Sequence, residues 1–425
     1  MKPQPTVNTV TANRLPCKGT YIKFESVAFW FWFFIGVEPC LTFLFFRSKP
    51  VLGTLVGYLP PPGFAFFLLS SVLIGSRLQH PEILRQMATK LLLAFVLWAG
   101  ITLFWTGASS RFSACGYWAI VAIKVFVVLL LLCLGNIERV ALKSLQGYAW
   151  GGLVLALVPF LLHARTLEGR LGNEEFLHPN TIGNQMALIS LCTIYLAMQP
   201  WGRIAERRIY ILISAVLLFA LLSSLSKTSI ISLLLAVIIY LVRSKISVQK
   251  KINLVLLAGG VIAISSAALS RYLDQYLNEQ QGGEALETAS GRTQVWEMAW
   301  EMIQENPILG YGYQSFRDVA EQIIALRLVH PHNEWLNIWF NLGGVGLVLG
   351  VLTYINFYLH LRGAAKARLP QEALGLALLV YSVVRGLTEA TVPDLIVYPT
   401  PLIMLMIGWL TQKKQTSSSN GDSYG

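Results

Sequence analysis

The chain is short of charge and of cysteine, and both shortages narrow what it can be. Only 13% of its 425 residues are charged against 55% hydrophobic, too few to solvate the surface of a soluble globular protein of this length. Its five cysteines, Cys17, Cys40, Cys115, Cys133 and Cys192, are scattered and follow neither a metal-ligand spacing nor a disulfide framework, so they give zinc and redox chemistry no support. No Gly-rich phosphate loop follows a strand, no Asp-x-Asp pair offers a metal site, and no internal repeat points to a transporter built from inverted halves. The opening residues are polar, so no cleavable signal peptide is expected and the first apolar run itself directs insertion.

What the chain has in abundance is long apolar sequence, with a mean hydropathy of +0.57. Runs long enough for a helix to cross roughly 30 Å of hydrocarbon recur from Val27 to Leu410. They fall near 27–46, 61–76, 91–106, 116–134, 144–162, 181–199, 209–223, 228–242, 252–269, 336–360, 372–388 and 395–411. The runs are continuously apolar, where barrel strands would alternate, so helices are expected. The expectation is an all-α polytopic membrane protein of about twelve transmembrane helices plus one long loop carrying amphipathic helices. Residues 1–26 form an N-terminal segment, 27–269 spans one to nine, 270–335 the loop, 336–411 the last three spans, and 412–425 a tail.

Lys and Arg concentrate on alternate connections: Arg77 to Lys90, Arg139 with Lys143, Arg203 to Arg208, Arg243 to Lys251, Arg362 to Arg368, and both terminal segments. Positive loops are retained in the cytoplasm, so both termini are assigned there and the 270–335 loop to the opposite face. The net charge of +11 then reflects retention signals and contact with anionic lipid headgroups, making membrane lipids the expected partner and nucleic acid an unsupported one.

In the long loop, Val295, Trp296, Met298, Ala299, Trp300, Met302 and Ile303 recur at helical spacing among Glu297, Glu301 and Glu305, predicting a surface-lying helix that stops at Asn306-Pro307. A second amphipathic segment, Ser315 to Leu328, leads to His330-Pro331-His332-Asn333-Glu334-Trp335, immediately before an apolar run. Titratable side chains held at a membrane surface point to chemistry on something the bilayer presents.

The strings Ser290-Gly291-Arg292 with Trp296, Asn306-Pro307-Ile308-Leu309-Gly310-Tyr311-Gly312, and His332-Asn333 separated by nine residues from Gly343-x-x-Gly346 resemble the O-antigen ligase and polymerase superfamily of bacterial envelope glycosyltransferases. The resemblance concentrates in Ser290 to Gly346; elsewhere it rests on span number and loop placement. It implies a GT-C-like fold in the inner membrane of a Gram-negative bacterium. The implied reaction transfers O-antigen polysaccharide from undecaprenyl pyrophosphate to lipid A-core at the periplasmic face, without cofactor or metal. His332 matches the family's essential histidine. An imidazole titrating near neutrality can take the proton of an attacking hydroxyl, although a helix-capping histidine would occupy the same place.

A metal-free catalyst must set fixed positive charge against the leaving pyrophosphate. Arg292 is the first candidate. Lys227, in Ser224-Leu225-Ser226-Lys227-Thr228, stands where the family places an arginine, keeping the charge but losing the bidentate fork; a snorkelling lysine is the alternative. Arg385, at the outer end of the eleventh span, is the third, with interfacial anchoring as its alternative. His330, Asn333, Glu334, His178 and Asn180 are the supporting candidates, His178-Pro179-Asn180 doubling as an ordinary loop terminator, and Glu389 and Asp394 are acids on the same face. Within the same chemistry, the resemblance leaves room for an O-antigen polymerase or a protein O-oligosaccharyltransferase. A lipid-linked glycan flippase would need ionisable residues at mid-membrane, where the spans carry few beyond Lys124 and Glu38.

Overall fold

The computed structural model describes residues 23–166, 169–173, 177–199, 204–244, 246–257, 259–261, 292–324, 330–363 and 370–390, with 263 and 403. The expected twelfth span, the end of the ninth, Ser290, Gly291, Asp394 and most of both terminal segments lie outside the described residues. Among the described residues thirteen helices position the site: α1 (Phe24–Ser48), α2 (Pro50–Tyr58), α3 (Pro60–Leu73), α4 (Met87–Ile101), α5 (Arg111–Leu134), α6 (Ile137–Leu161), α7 (Pro179–Met198), α8 (Ile204–Ser224), α9 (Lys227–Arg243), α10 (Arg292–Glu305), α11 (Phe316–Ile324), α12 (Glu334–Gly363) and α13 (Pro370–Gly386). The one strand-like feature among them is an isolated bridge between Arg165 and Leu171. Seven helical stretches among the described residues are long and apolar enough to cross a membrane, and the protein is an all-α polytopic membrane protein.

The second span begins earlier than the apolar run at 61–76 predicts, covering Leu55–Leu73. Pro60 and its two following prolines open α3 rather than break it, because the first turn of a helix has no N–H partner to lose. Pro39 sits inside α1.

α1 and α6 pack backbone to backbone. A methyl at Gly147 or Gly151 would overlap the carbonyl oxygens of Phe29 and Phe33, and one at Gly36 would stand 2.9 Å from the Gly152 nitrogen. In lipid, where burial of apolar surface no longer drives helices together, such small-residue contacts supply the association. Beside them Lys124 on α5 meets Glu38 on α1, its Nζ 2.9 and 3.1 Å from the two carboxylate oxygens. The two intramembrane charges satisfy each other, as a structural pair does.

The bundle has two chemically different ends. At one, Arg243 at the end of α9 pairs with buried Glu372 at the start of α13, and Lys250 donates to the Met198 carbonyl at the end of α7. At the other, the outer ends of α6 to α9 meet the loop bearing α10 and α11 and the facing ends of α12 and α13.

Candidate functional site

The strings that carry the resemblance do structural work first. α12 breaks its helical hydrogen-bond ladder at Gly343, whose φ of 67° lies in the left-handed region. The break frees backbone groups, and the 307–312 segment takes them up. Gly344 N–H donates to Pro307 O (2.8 Å), Tyr311 N–H to Phe340 O (2.9 Å) and Gly312 N–H to Asn341 O (2.8 Å). With these bonds the loop is spliced into the helix and the freed backbone polar groups are paired. No side chain fits at the crossing: a methyl on Gly310 would stand 2.6 Å from Phe340 O, and one on Gly343 would overlap the Ile308 carbonyl. Trp339 Nε1 donates to Pro307 O (2.9 Å) and holds the same junction.

Thus anchored, the loop delivers α10 to the membrane end of α12. Trp296 Nε1 donates to the Pro331 carbonyl (2.8 Å), tying α10 to the histidine segment. Asn333 caps α12, its Oδ1 accepting from Trp335 N–H (3.0 Å) and Leu336 N–H (3.1 Å), while its Nδ2 donates to Leu387 O (3.1 Å) beyond α13. His332 is held between these ties at φ 51°. Non-glycine residues rarely adopt this conformation outside sites that over-determine it.

The imidazoles converge on one buried carboxylate, Glu389, just past α13. His332 Nδ1 lies 3.1 Å and His330 Nε2 3.5 Å from Glu389 Oε1. The other oxygen, Oε2, accepts from Asn180 Nδ2 (3.0 Å) and lies 3.8 Å from the Arg292 guanidinium, which also donates to the Thr388 carbonyl. Asn180 is fixed in turn, because Arg170 Nη2 donates to its Oδ1 (2.7 Å) and Arg170 Nε to Ser224 O (3.0 Å) at the end of α8.

Burial alone would raise the Glu389 pKa, but the His332 hydrogen bond and the positive fields of His330, His332 and Arg385 outweigh it and push the carboxyl down to about 2. An ionised carboxylate only accepts, so His332 Nδ1 carries the proton of this hydrogen bond and Nε2 is the ring nitrogen left facing away from Glu389. His330 takes the opposite tautomer, since its Nδ1 accepts from His332 N–H (3.2 Å). Burial first, with the charges of His332, Arg385 and His178 acting the same way and Glu389 opposing, pushes His330 down to about 4 and keeps it neutral. The ligand atoms of His330, His332 and Glu389 lie within 4.8 Å of one another, close enough to share a metal ion.

The other expected residues stand around this hub. His178 caps α7, its Nδ1 accepting from Asn180 N–H (3.2 Å), with Pro179 in the first turn. Glu334 is buried where α12 meets Gly386. Arg385 is buried too, and its charge acts on both His330 and Glu389. Lys227 opens α9 and is exposed, three residues past the Ser224 carbonyl that Arg170 holds. Arg170 is the residue that sequence reasoning passes over: it counts there only as one more loop charge. The one available signal is its place ten residues before Asn180, in the short loop that leads into α7.

Two comparisons bear on this arrangement. Residues 212–351 match the family model described as O-antigen ligase. An O-antigen ligase of Salmonella typhimurium is 28% identical over 162 residues, an alignment covering 35% of this chain and 39% of that protein. The family match takes in Lys227, Arg292, His330, His332 and the Gly343 junction, whereas Arg170, Asn180, Arg385 and Glu389 complete the site from outside it. Over residues 212–351 the chain is thus similar to O-antigen ligases, and it spans about two fifths of the length of the relative it matches.

Proposed function

We propose that the protein is an O-antigen ligase that moves a polysaccharide from undecaprenyl pyrophosphate to a sugar hydroxyl of lipid A-core, by an inverting, metal-independent displacement. The observation that carries this reading is the His332–Glu389 pair beside Arg292 at the loop-bearing end of the bundle. Glu389 holds the Nδ1–H tautomer, so Nε2 takes the acceptor's proton as its oxygen bonds to the anomeric carbon and the carbon–pyrophosphate bond breaks. A positioned base of this kind contributes about 10²- to 10⁴-fold.

Negative charge grows on the departing pyrophosphate. Arg292 and Lys227 supply the facing cations, and buried Arg385 adds positive potential behind the imidazole pair. Asn180, with His178 capping its helix, and Asn333, capping the next, hold the frame; Glu334 packs beneath it. The donor carries its own activation, so no soluble cofactor enters. The paired cations Arg243 and Lys250 mark the opposite end of the bundle. That charge asymmetry supports a periplasmic site and cytoplasmic termini in a Gram-negative inner membrane.

The test is reconstitution of purified protein in proteoliposomes with lipid-linked glycan and, separately, lipid A-core, a second lipid-linked glycan or a Ser/Thr peptide as acceptor, with EDTA present. Ligase activity predicts product on lipid A-core alone, undiminished by chelation and abolished in His332→Ala at normal membrane expression. Product on lipid-linked glycan or peptide would reassign the acceptor, and full activity of His332→Ala would remove the base.

A further inference from the structure

We infer that His330, His332 and Glu389 form a binding site for a borderline divalent cation of the zinc type, and that its occupancy switches transfer off. Two imidazoles and a carboxylate are a ligand set that zinc takes in three-protein-ligand sites with an open fourth position. With metal–ligand bonds of about 2.0–2.1 Å, a tetrahedral ion sets its ligand atoms about 3.3 Å apart. His332 Nδ1 and His330 Nε2 stand 3.1 and 3.5 Å from Glu389 Oε1, and the three residues each offer one ligand atom within 4.8 Å of the other two. Two of the three edges are already near that spacing, so the third closes with a modest turn of an imidazole.

The outer partners suit the role as well. Oε1 faces the imidazoles, while Oε2 keeps Asn180 and Arg292, so a metal on the Oε1 side leaves the bonds that orient the carboxylate in place. Binding has two opposing contributions: the Arg292 charge nearby, and the hydrogen bond from His332 N–H to His330 Nδ1, which is lost when Nε2 becomes a ligand and the proton shifts to Nδ1. These hold the affinity to a reversible, regulatory range. The His332 side chain is about one-third exposed, which gives the ion its entry.

The inhibitory half rests on the assignment of His332 as base. A metal on Nδ1 takes the place of that proton, which moves to Nε2, so the ring stays neutral with its one proton there. The nitrogen that would accept the hydroxyl proton has become a donor. The same ion separates His332 from Glu389, so base and tautomer control are lost together.

The experiment uses the full chain in detergent micelles or nanodiscs, with Co2+ alone as spectroscopic probe and Zn2+ as competitor. Expected are one Co2+ per chain with visible bands of four- or five-fold coordination, displacement by micromolar Zn2+, and loss of both in His330→Ala and in Glu389→Gln, each checked for monodispersity by size exclusion. In the reconstituted transfer assay, Zn2+ inhibits with the midpoint of its binding and EDTA restores the rate. No saturable metal binding, or binding that survives both variants, overturns the site. A fully occupied site with an unchanged transfer rate overturns the inhibition. A chain that binds the metal but transfers glycan to none of the acceptors leaves the site standing and counts against the ligase reading instead.

Discussion

Replacing Glu389 by glutamine tests the central geometry with one atom. Asn180 cannot turn its amide, because its Oδ1 is taken by Arg170, so its Nδ2 must meet an acceptor. Arg292 approaches the same side, 3.8 Å away, and an arginine never stops donating. The introduced amide therefore has to aim its single oxygen at Asn180 and Arg292, leaving its NH2 facing the imidazoles. His332 Nδ1 must then accept, its proton moves to Nε2, and the base loses the lone pair it needs. The side chain keeps its shape, so donor binding holds while turnover falls by on the order of 10²- to 10⁴-fold, the contribution of a positioned general base. At about 1.4 kcal/mol per tenfold this is about 3–5 kcal/mol of barrier. The assay is initial-rate transfer to lipid A-core in proteoliposomes at varied donor. KM for the donor should stay near its parent value, Glu389→Asp should recover part of the rate, and the His332→Ala/Glu389→Gln double variant should be no slower than His332→Ala alone. Turnover of Glu389→Gln within about threefold of the parent, or losses that multiply in the double variant, would refute the reasoning.

Further predictions concern acid stability, the loop junction and Arg170. His330 is pushed down to about 4, so between the unfolded imidazole's ordinary value of about 6.5 and about 4 the unfolded chain holds a proton the folded chain lacks, and stability falls as pH falls. Glu389, held near 2, adds its own loss from about 4.5 downward. The apparent Tm in detergent should drop from pH 7 to pH 4, and His330→Gln should flatten the fall above pH 4; an unchanged slope there rejects the assignment. Gly343→Ala forces a side chain into a conformation, φ 67° and ψ −174°, that is essentially confined to glycine, at about 1–3 kcal/mol, with overlap against Ile308 O added. A lower Tm, faster proteolysis of the loop and lost transfer should follow, whereas Gly344→Ala, whose methyl would meet Pro307 O at 3.1 Å, should be milder. Arg170→Ala releases Asn180 and lets it turn; kcat should fall by about tenfold with expression and donor KM unchanged, and a change in KM alone would make Arg170 a substrate ligand instead.

The helices and their amphipathic loop were legible because each is encoded in residues near one another. An apolar run long enough to cross a bilayer has few other places to go, and Val295 to Ile303 repeat at a period that only a helix satisfies. The first departure from that reading is the second span, which begins at Leu55 and not near 61, with Pro60-Pro61-Pro62 in a first helical turn where a missing N–H costs nothing.

The site was legible only in its parts. His332 and Arg292 stood out by residue type and by resemblance, but the residue that joins them did not. Glu389 lies 57 residues from His332 and 209 from Asn180, and nothing in local spacing distinguishes it from Glu334 or Asp394. The physical distinction is burial: a carboxylate at the end of an apolar span, removed from water, stays ionised only if donors converge on it. Four do so here, two on each oxygen. The same requirement accounts for Arg170. Asn180 can turn its amide either way until a cation claims its oxygen, so the charge that sets the His332 tautomer begins at Arg170, in the loop between α6 and α7, and reaches the base through an amide and a carboxylate. A buried acid at a membrane end therefore predicts a donor chain as well as a partner, and a search of the remaining loops for that chain leads to Arg170 from the sequence itself.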